Sequence, residues 1–430
     1  MSQHNTPSNP ARRRFLLGGT QAAVAGALLG GGLGMLTSPP AQAAAPGSTA
    51  DSVPFDGPHQ AGIITPQQKH SYFAAFDLDT EQRADVIALL KRWTAAARRL
   101  SRGQTALPLG GKIDAAPEDG GDSIGLSTAK LTLTFGFGPG LFVKNGVDRY
   151  GLASRRPEAF VDLPKFNGDQ LLPERSGGDL SIQACADDPQ VAFHAVRQLA
   201  ALAQGVASLR WAQTGFASAP ADGSTGRNLM GFKDGTNNPS TKDPALMKQF
   251  VWVGDEGGWM KNGSYVVVRR IRIALEHWDR SELGFQQEVV GRYKDNGAPL
   301  GQKNEFETMQ LDATDKDGNP VIPDSAHSRV ASPQENGGSR ILRRAYSYND
   351  GSSFTAERWP PWRQGVEYDA GLFFIAYQRD PRSGFIRINK TVAARDMMNQ
   401  YTTHVASAIF ACPPGTDGKG YIGEPLFAGL

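Results

Sequence analysis

Three short segments carry side chains whose chemistry fits together. The first is Met230-Gly231-Phe232-Lys233-Asp234-Gly235-Thr236-Asn237-Asn238-Pro239. It sets one acid, Asp234, between two glycines and a run of small polar residues. Glycines let a backbone turn sharply and let a bulky ligand come close, so such a loop can hold a carboxylate over a flat cofactor. The second segment, Pro323 to Pro333, places His327 in a polar run. Imidazole is the common neutral axial ligand of haem iron, and it leaves the opposite face open to an oxidant. The third, Arg340-Ile341-Leu342-Arg343-Arg344-Ala345-Tyr346-Ser347-Tyr348, reads as a strand. Neighbouring side chains on a strand point to opposite faces, so only one of Arg343 and Arg344 can serve a given pocket. Together the three offer a ligand for iron, a carboxylate to move a proton and a fixed cation to stabilise a departing negative oxygen. Taken singly, an Asp-Gly turn, a solvated loop histidine and an edge-strand charge are the commoner roles of such residues.

Hydrophobic spacing predicts the elements that must position these side chains. His70 to Leu78 reads as a strand. Thr80 to Leu100 reads as a helix, with Val86, Leu89, Leu90 and Trp93 at helical spacing. Leu131 to Phe137 alternates as a strand. A strand from Asp179 ends in Asp188-Pro189 and leads into a helix to Gly205, and Leu209 to Phe216 is a further strand. The second half repeats this grammar. Ser264 to Leu275 is a strand, His277 to Tyr293 a helix, and Ala370 to Pro381 a strand again ending in Asp-Pro. A helical stretch around Asn389 to Thr403 and a strand from Val405 to Ala411 follow. Strand, helix, strand, twice over, is the ferredoxin-like order. The expected fold class is therefore α+β, with duplicated ferredoxin-like modules: antiparallel sheets with helices packed on one face. The modules span residues 44–220 and 221–430. Residues 312–340 interrupt the second with Asp, Gly, Asn, Ser and Pro, and a structureless insert of that length is usually functional or disordered. This one carries His327.

The N-terminus is a separate device. Arg12-Arg13-Arg14-Phe15-Leu16-Leu17, an apolar run to Leu36 without an acid, and Ala41-Gln42-Ala43 form a twin-arginine export signal over residues 1–43. Its cargo folds before export, often around an inserted cofactor. The expected location is periplasmic or extracellular, with no membrane anchor after cleavage. The leader holds three arginines and no acid, so the formal charge of +2 belongs to it and the chain after Ala43 carries −1. Near-neutrality argues against nucleic acid or an anionic membrane as the main partner. Cys185 and Cys412 stand in no metal-type spacing, and whether they pair is not deducible. No Cys-x-x-Cys-His occurs, which excludes covalent haem attachment of that type.

Over nearly the whole mature chain these segments resemble the dye-decolourising-type (DyP) haem peroxidases, specifically their twin-arginine-exported deferrochelatase/peroxidase subfamily. The likeness begins at Pro54-Phe55-Asp56-Gly57-Pro58-His59-Gln60-Ala61-Gly62-Ile63. It runs through Gly231-Phe232-Lys233-Asp234-Gly235, Ala326-His327-x-Arg329 and Leu342-Arg343-Arg344, and ends at Phe410 to Gly415 and Gly420-Tyr421. The resemblance implies one non-covalent haem b per chain, held in the C-terminal module. It implies His327 as the proximal ligand, Asp234 as the distal acid and Arg343 as the distal arginine. Haem contacts fall on Gly235, Thr236, Asn237, Ser332, Pro333, Gln334 and Arg343. The implied activity is reduction of hydrogen peroxide with oxidation of dye-like or phenolic donors. The subfamily's alternative is a deferrochelatase that releases iron from haem with the porphyrin intact, beside components of an iron importer. A third reading, haem binding without turnover, requires a second axial ligand, for which His59 and His404 are candidates. An acid is expected on the far nitrogen of His327, with Asp380 and Glu424 both open. Large donors would be oxidised through surface aromatics, of which Trp359, Trp362, Tyr346 and Tyr348 lie nearest the motifs. A homo-oligomer is compatible with all of this.

Overall fold

Apolar alternation builds the strands, and two families of them form. In the computed structural model, which describes residues 51–110, 113–218, 220, 223–356 and 364–430, the first family is β1 (His70–Leu78), β2 (Thr132–Phe137), β3 (Leu180–Ala186) and β4 (Ala207–Phe216). The second is β5 (Ser264–Ile273), β6 (Leu342–Arg343), β7 (Tyr346–Ala356), β8 (Gln364–Gln378) and β9 (Thr402–Cys412). Every ladder is antiparallel, in the order β5-β9-β2-β3-β1-β4-β7-β8-β6. Because β5 also pairs with β8, the sheet closes on itself. The closure is thin at two seams. β2 meets β9 only at Phe137 and Ala411, and β4 meets β7 only at Phe216 and Ser347. Between the seams lie two sets with long ladders, β4-β1-β3-β2 and β9-β5-β8 with β7 and β6.

The helices are α1 (Arg83–Leu100), α2 (Pro139–Phe142), α3 (Pro189–Leu202), α4 (Pro244–Phe250), α5 (Leu275–Trp278), α6 (Leu283–Val290), α7 (His327–Val330), α8 (Phe385–Arg395) and α9 (Glu424–Phe427). The Asp188-Pro189 pair starts α3 as its chemistry dictates. Asp188 accepts hydrogen bonds from the amides of Gln190 and Val191, while Pro189 fills a first-turn position that needs no donor. The matching Asp380-Pro381 works differently. Its chain makes a further turn, with Gly384 N–H on the Asp380 carbonyl at 2.9 Å, before α8 starts at Phe385.

Two departures from the expected helices sit beside the functional segments. The single helix expected from His277 to Tyr293 is two, α5 and α6. Gln286 donates to the carbonyls of Trp278 (2.9 Å) and Ser281 (3.1 Å), which satisfies the backbone at the break. The helix expected from Asn389 starts earlier and stops at Arg395, because Asp396 is extended (φ −75°, ψ 121°) and accepts from the amide of Met398. The 312–340 insert holds only α7 as a helix.

One large core packs α1, α3 and α9 against the first strand set, and a second fills the space bounded by both sets. Tyr346 and Tyr348 lie in the second core; Trp359 and Trp362, and the leader, fall outside the described residues. Cys185 and Cys412 are both buried and free. Among the described residues no helix is long and apolar enough to cross a membrane.

Candidate active site

The Asp234 loop is fixed at several points. Phe232 and Met230 are buried against Trp278, whose indole N–H donates to the Met230 carbonyl at 3.0 Å. Gly231 (φ +87°) and Gly235 (φ +117°) take conformations that side chains disfavour, and Asp234 stands between them. Asn228 Oδ1 accepts from the amides of Met230 and Phe232, and the amide of Asp234 donates to the Gly226 carbonyl at 2.9 Å. Beyond the acid, Glu305 accepts from Lys233 Nζ at 2.6 Å and from Thr236 Oγ1 at 2.8 Å. Burial pushes the Glu305 carboxyl up, but hydrogen bonds from Lys233, Thr225 and Thr236 outweigh it and the net direction is down.

Arg343 comes from the short strand β6, whose partner is β8 through Leu342 with Tyr377 and Arg343 with Ala376. Its Nη1 lies 2.6 Å from Asp234 Oδ1. Arg344 turns the other way and is buried, donating to the Thr65 and Pro66 carbonyls and to Gln68.

His327 opens α7. Arg329 braces the turn, donating to the carbonyls of Leu311 (2.7 Å) and Ile322 (3.2 Å) and pairing with Asp324 at 2.9 Å. Asn336 ties the far end through the carbonyls of Val330 and Ser332, both at 2.8 Å. His327 Nδ1 lies 2.5 Å from Asp396 Oδ2, and the Asp396 side chain is 1% exposed. Burial alone pushes the imidazole down; the adjacent Asp396 carboxylate reverses that, and the net direction is up. With Nδ1–H donated to Asp396, Nε2 carries the lone pair. His327 keeps 35% of its side-chain surface and lines the cavity.

That cavity, of about 230 Å³, is shared by His327, Asp234 and Arg343. Its walls are largely apolar: Ile271 and Ile273 of β5, Leu372 and Phe374 of β8, Ile388 and Val392 of α8. A flat apolar macrocycle with one metal fits this donor set. His327 offers an imidazole with a fixed tautomer, the walls are apolar, no thiolate lines the cavity, and its second carboxylate, Asp396, is taken up by His327 Nδ1. Among the described residues no cluster of three or more His, Cys, Asp or Glu could hold a bare metal ion.

Two family models match the chain, Dyp-type peroxidase N-terminal over residues 60–217 and Dyp-type peroxidase C-terminal over residues 225–417. The chain belongs to the DyP-type peroxidase family. It is 36% identical to the dye-decolorizing peroxidase of Thermobifida fusca, with 100% of each chain covered. It is 34% identical to the deferrochelatase of Escherichia coli O157:H7, with 98% of each covered. Among solved structures, the DyP-type peroxidase of Streptomyces coelicolor matches at 39% identity and TM-score 0.79, over 88% of this chain and 97% of that one. Ferric DtpA of Streptomyces lividans matches with the same identity, score and coverage. As a DyP-type peroxidase the chain is a haem-dependent enzyme.

Within this DyP-type peroxidase, Thr236, Asn237 and Pro333 also line the cavity, whereas Gly235, Ser332 and Gln334 are not among its lining residues. Gln334 lines an open recess alongside Thr236, Asn237, Pro333 and Arg340, and Ser332 is fully buried. The acid behind His327 is Asp396, and this corrects both earlier candidates. Asp380 is turned to Arg382 at 2.8 Å on the surface, and Glu424 opens α9 beside Gly420. No local signal marked it, because Asp396 lies inside a stretch read as one helix, where an acid ordinarily faces solvent. Of the two candidate second ligands, His59 is not among the cavity-lining residues and His404 is engaged by Arg269. His59 stacks on Trp252 (3.8 Å between centroids) and hydrogen-bonds the Asn262 carbonyl. His404 lines the cavity, but its Nδ1 accepts from Arg269 Nε at 3.0 Å. Its proton is therefore on Nε2, which has no lone pair to offer. Burial, and then the Arg269 charge, push this imidazole down to about 3.

Proposed function

We propose that this chain binds one haem b non-covalently in the cavity and reduces hydrogen peroxide with electrons from dye-like or phenolic donors. The observation that carries the reading is that an Asp396-backed imidazole and an Asp234–Arg343 pair line the same cavity. When bound, haem would supply a redox-active iron that passes two electrons from the donors to peroxide. The residues do the rest. His327 would hold the iron through Nε2, and Asp396 fixes the ring and would strengthen its donation. Asp234 takes the proton from the bound peroxide and returns it to the outer oxygen, which leaves as water. Arg343 stabilises the negative charge that builds on that oxygen as the O–O bond breaks. Thr236, Asn237 and Pro333, which line the cavity, would contact the macrocycle, and Gly235, Ser332 and Gln334 shape the segments that carry them.

The catalytic half is read as the second of two ferredoxin-like modules, residues 44–220 and 221–430. The support is a shared neighbour order. The first set runs fourth-first-third-second strand as β4-β1-β3-β2; the second runs the same way as β9-β5-β8 followed by β7 and β6. Residues 1–43 are read as a twin-arginine leader, which places the enzyme in the periplasm or outside the cell.

The decisive experiment reconstitutes the purified protein with haem and mixes it with peroxide in a stopped-flow spectrometer. A rapid Soret shift in the wild type that is lost in Asp234→Asn supports the assignment; an equally fast shift in the variant overturns it. A second reading rests on the 34% identity to the Escherichia coli deferrochelatase over 98% of the chain. It expects iron-free porphyrin when reduced haem is incubated with the protein, and recovery of intact haem alone would remove it.

A further inference from the structure

β6 is two residues long and is bonded to β8 along one side only. In a strand the N–H and C=O of one residue point the same way, and its neighbours point the other way. The amide of Arg344 donates to the Ile375 carbonyl of β8 at 2.8 Å, so the N–H and C=O of Arg343 face away from the sheet. The side chain of Asn238 meets both. Its Nδ2 donates to the Arg343 carbonyl at 2.8 Å, and its Oδ1 accepts from the Arg343 amide at 3.1 Å. A carbonyl on one side and an N–H on the other admit only this orientation of the amide. Asn238 thus stands in for a missing strand at the open edge of β6.

The other end of the connection is as short. The amide of Asn238 donates to the Gly235 carbonyl at 2.9 Å, so a tight turn fixes Asn238 relative to the residue that follows Asp234. One turn and one side-chain amide therefore join the backbone under Asp234 to the backbone under Arg343. The two functional groups meet at 2.6 Å across a sequence separation of 109 residues. Long arginine and short aspartate side chains cannot set that distance while their backbones drift.

We infer that Asn238 is the positioning residue that sets the separation and angle of the Asp234–Arg343 pair, by clamping the backbone of Arg343 to the Asp234 loop. The inference rests on the peroxidase reading of that pair. Asn238 lines the cavity as well, but both polar ends of its side chain are spent on the backbone of Arg343, so it acts through Arg343.

The test uses the full chain with and without protohaem, and hydrogen peroxide as the reagent. Asn238→Ala removes both hydrogen bonds. It is expected to speed hydrogen exchange at the Arg343 amide roughly tenfold. It should also slow the peroxide-induced spectral change by about 10²-fold, because a small misplacement of a reacting group costs that much. Protohaem affinity should change far less than peroxide reactivity, because the His327 ligand is left in place. Asn238→Asp keeps the acceptor for the Arg343 N–H but loses the donor to its carbonyl, and should fall between the two proteins in both readouts. That ordering covers the case in which the alanine variant folds poorly. Wild-type peroxide reactivity in Asn238→Ala would overturn the inference. So would slowed reactivity with the Arg343 amide still fully protected, since the loss would then arise elsewhere. Asp234→Asn separates the two levels. If it reacts at the wild-type rate the peroxidase reading of the pair fails; if it is slow while Asn238→Ala is fast, only the clamp fails.

Discussion

Asp396 ends helix α8 and, from that break, places its Oδ2 2.5 Å from Nδ1 of His327. The same side chain therefore terminates a helix and orients the only cavity-lining imidazole, among the described residues, whose Nε2 lone pair is free. Helix end and the His327 segment are coupled through the backbone as well, since the Met397 amide donates to the Ser325 carbonyl at 2.9 Å, two residues before His327.

Removing that acid should loosen the ligand. Asp396→Ala is expected to lower haem affinity by about 10- to 100-fold. Asp396→Asn, which still accepts from Nδ1–H through its amide oxygen, should lose less. Haem titration followed at the Soret band checks both, and the haem reduction potential of Asp396→Asn should rise because a neutral partner supports less donation to iron.

The distal pair should separate from binding. Asp234→Asn is expected to slow the reaction with peroxide by about 10²- to 10⁴-fold, and Arg343→Ala by about 10²- to 10³-fold, with haem still bound in each. Stopped-flow spectra at several peroxide concentrations give the second-order constants. The double variant should fall short of the product of the two effects, because the groups act on one step and touch each other.

Glu305 should matter to the loop without touching the reaction. It is 8% exposed and is held by Lys233 and Thr236. Glu305→Ala strands the Lys233 charge and should destabilise the fold by about 1–3 kcal/mol. Glu305→Gln still accepts from Thr236 and should recover part of that. Urea midpoints of the three proteins decide it.

His404 gives a pH signature. Its folded value is depressed to about 3 from the ordinary 6.5, so the unfolded chain binds a proton that the folded one refuses. The stability it contributes is complete above 6.5 and is lost progressively as pH falls toward 3. His404→Gln keeps an acceptor for Arg269 and has no proton to gain. Its unfolding free energy should therefore fall less steeply with acid across that window, measured by denaturant titration at a series of pH values.

Much of this site was legible in the residues, and the rest was hidden for physical reasons. Asp234 and Arg343 sit in short segments, glycines around an acid and an alternating strand, that are compatible with a pocket, and their resemblance to the family's motifs, more than local chemistry, singled them out. The strands were legible because period-two patterns and Asp-Pro ends are local signals. Asp396 was not, since an acid inside an apolar helical pattern looks like a surface residue until its partner is known. Asn238 and Glu305 were hidden for the same reason. Their roles are hydrogen bonds to segments about a hundred and about seventy residues away, and no spacing rule within one segment reports them. The break between α5 and α6 depends on Gln286 reaching back to two carbonyls, which periodicity does not encode.

The most direct test of the whole account is a haem titration of the purified wild type and of His327→Ala, read by absorption and electron paramagnetic resonance before and after peroxide. The account predicts one haem per wild-type chain, a ferric signal with a single histidine ligand, and a fast spectral change with peroxide, while His327→Ala loses the ligand signature. A bis-histidine low-spin signal in the wild type, or an unchanged spectrum in His327→Ala, would contradict it.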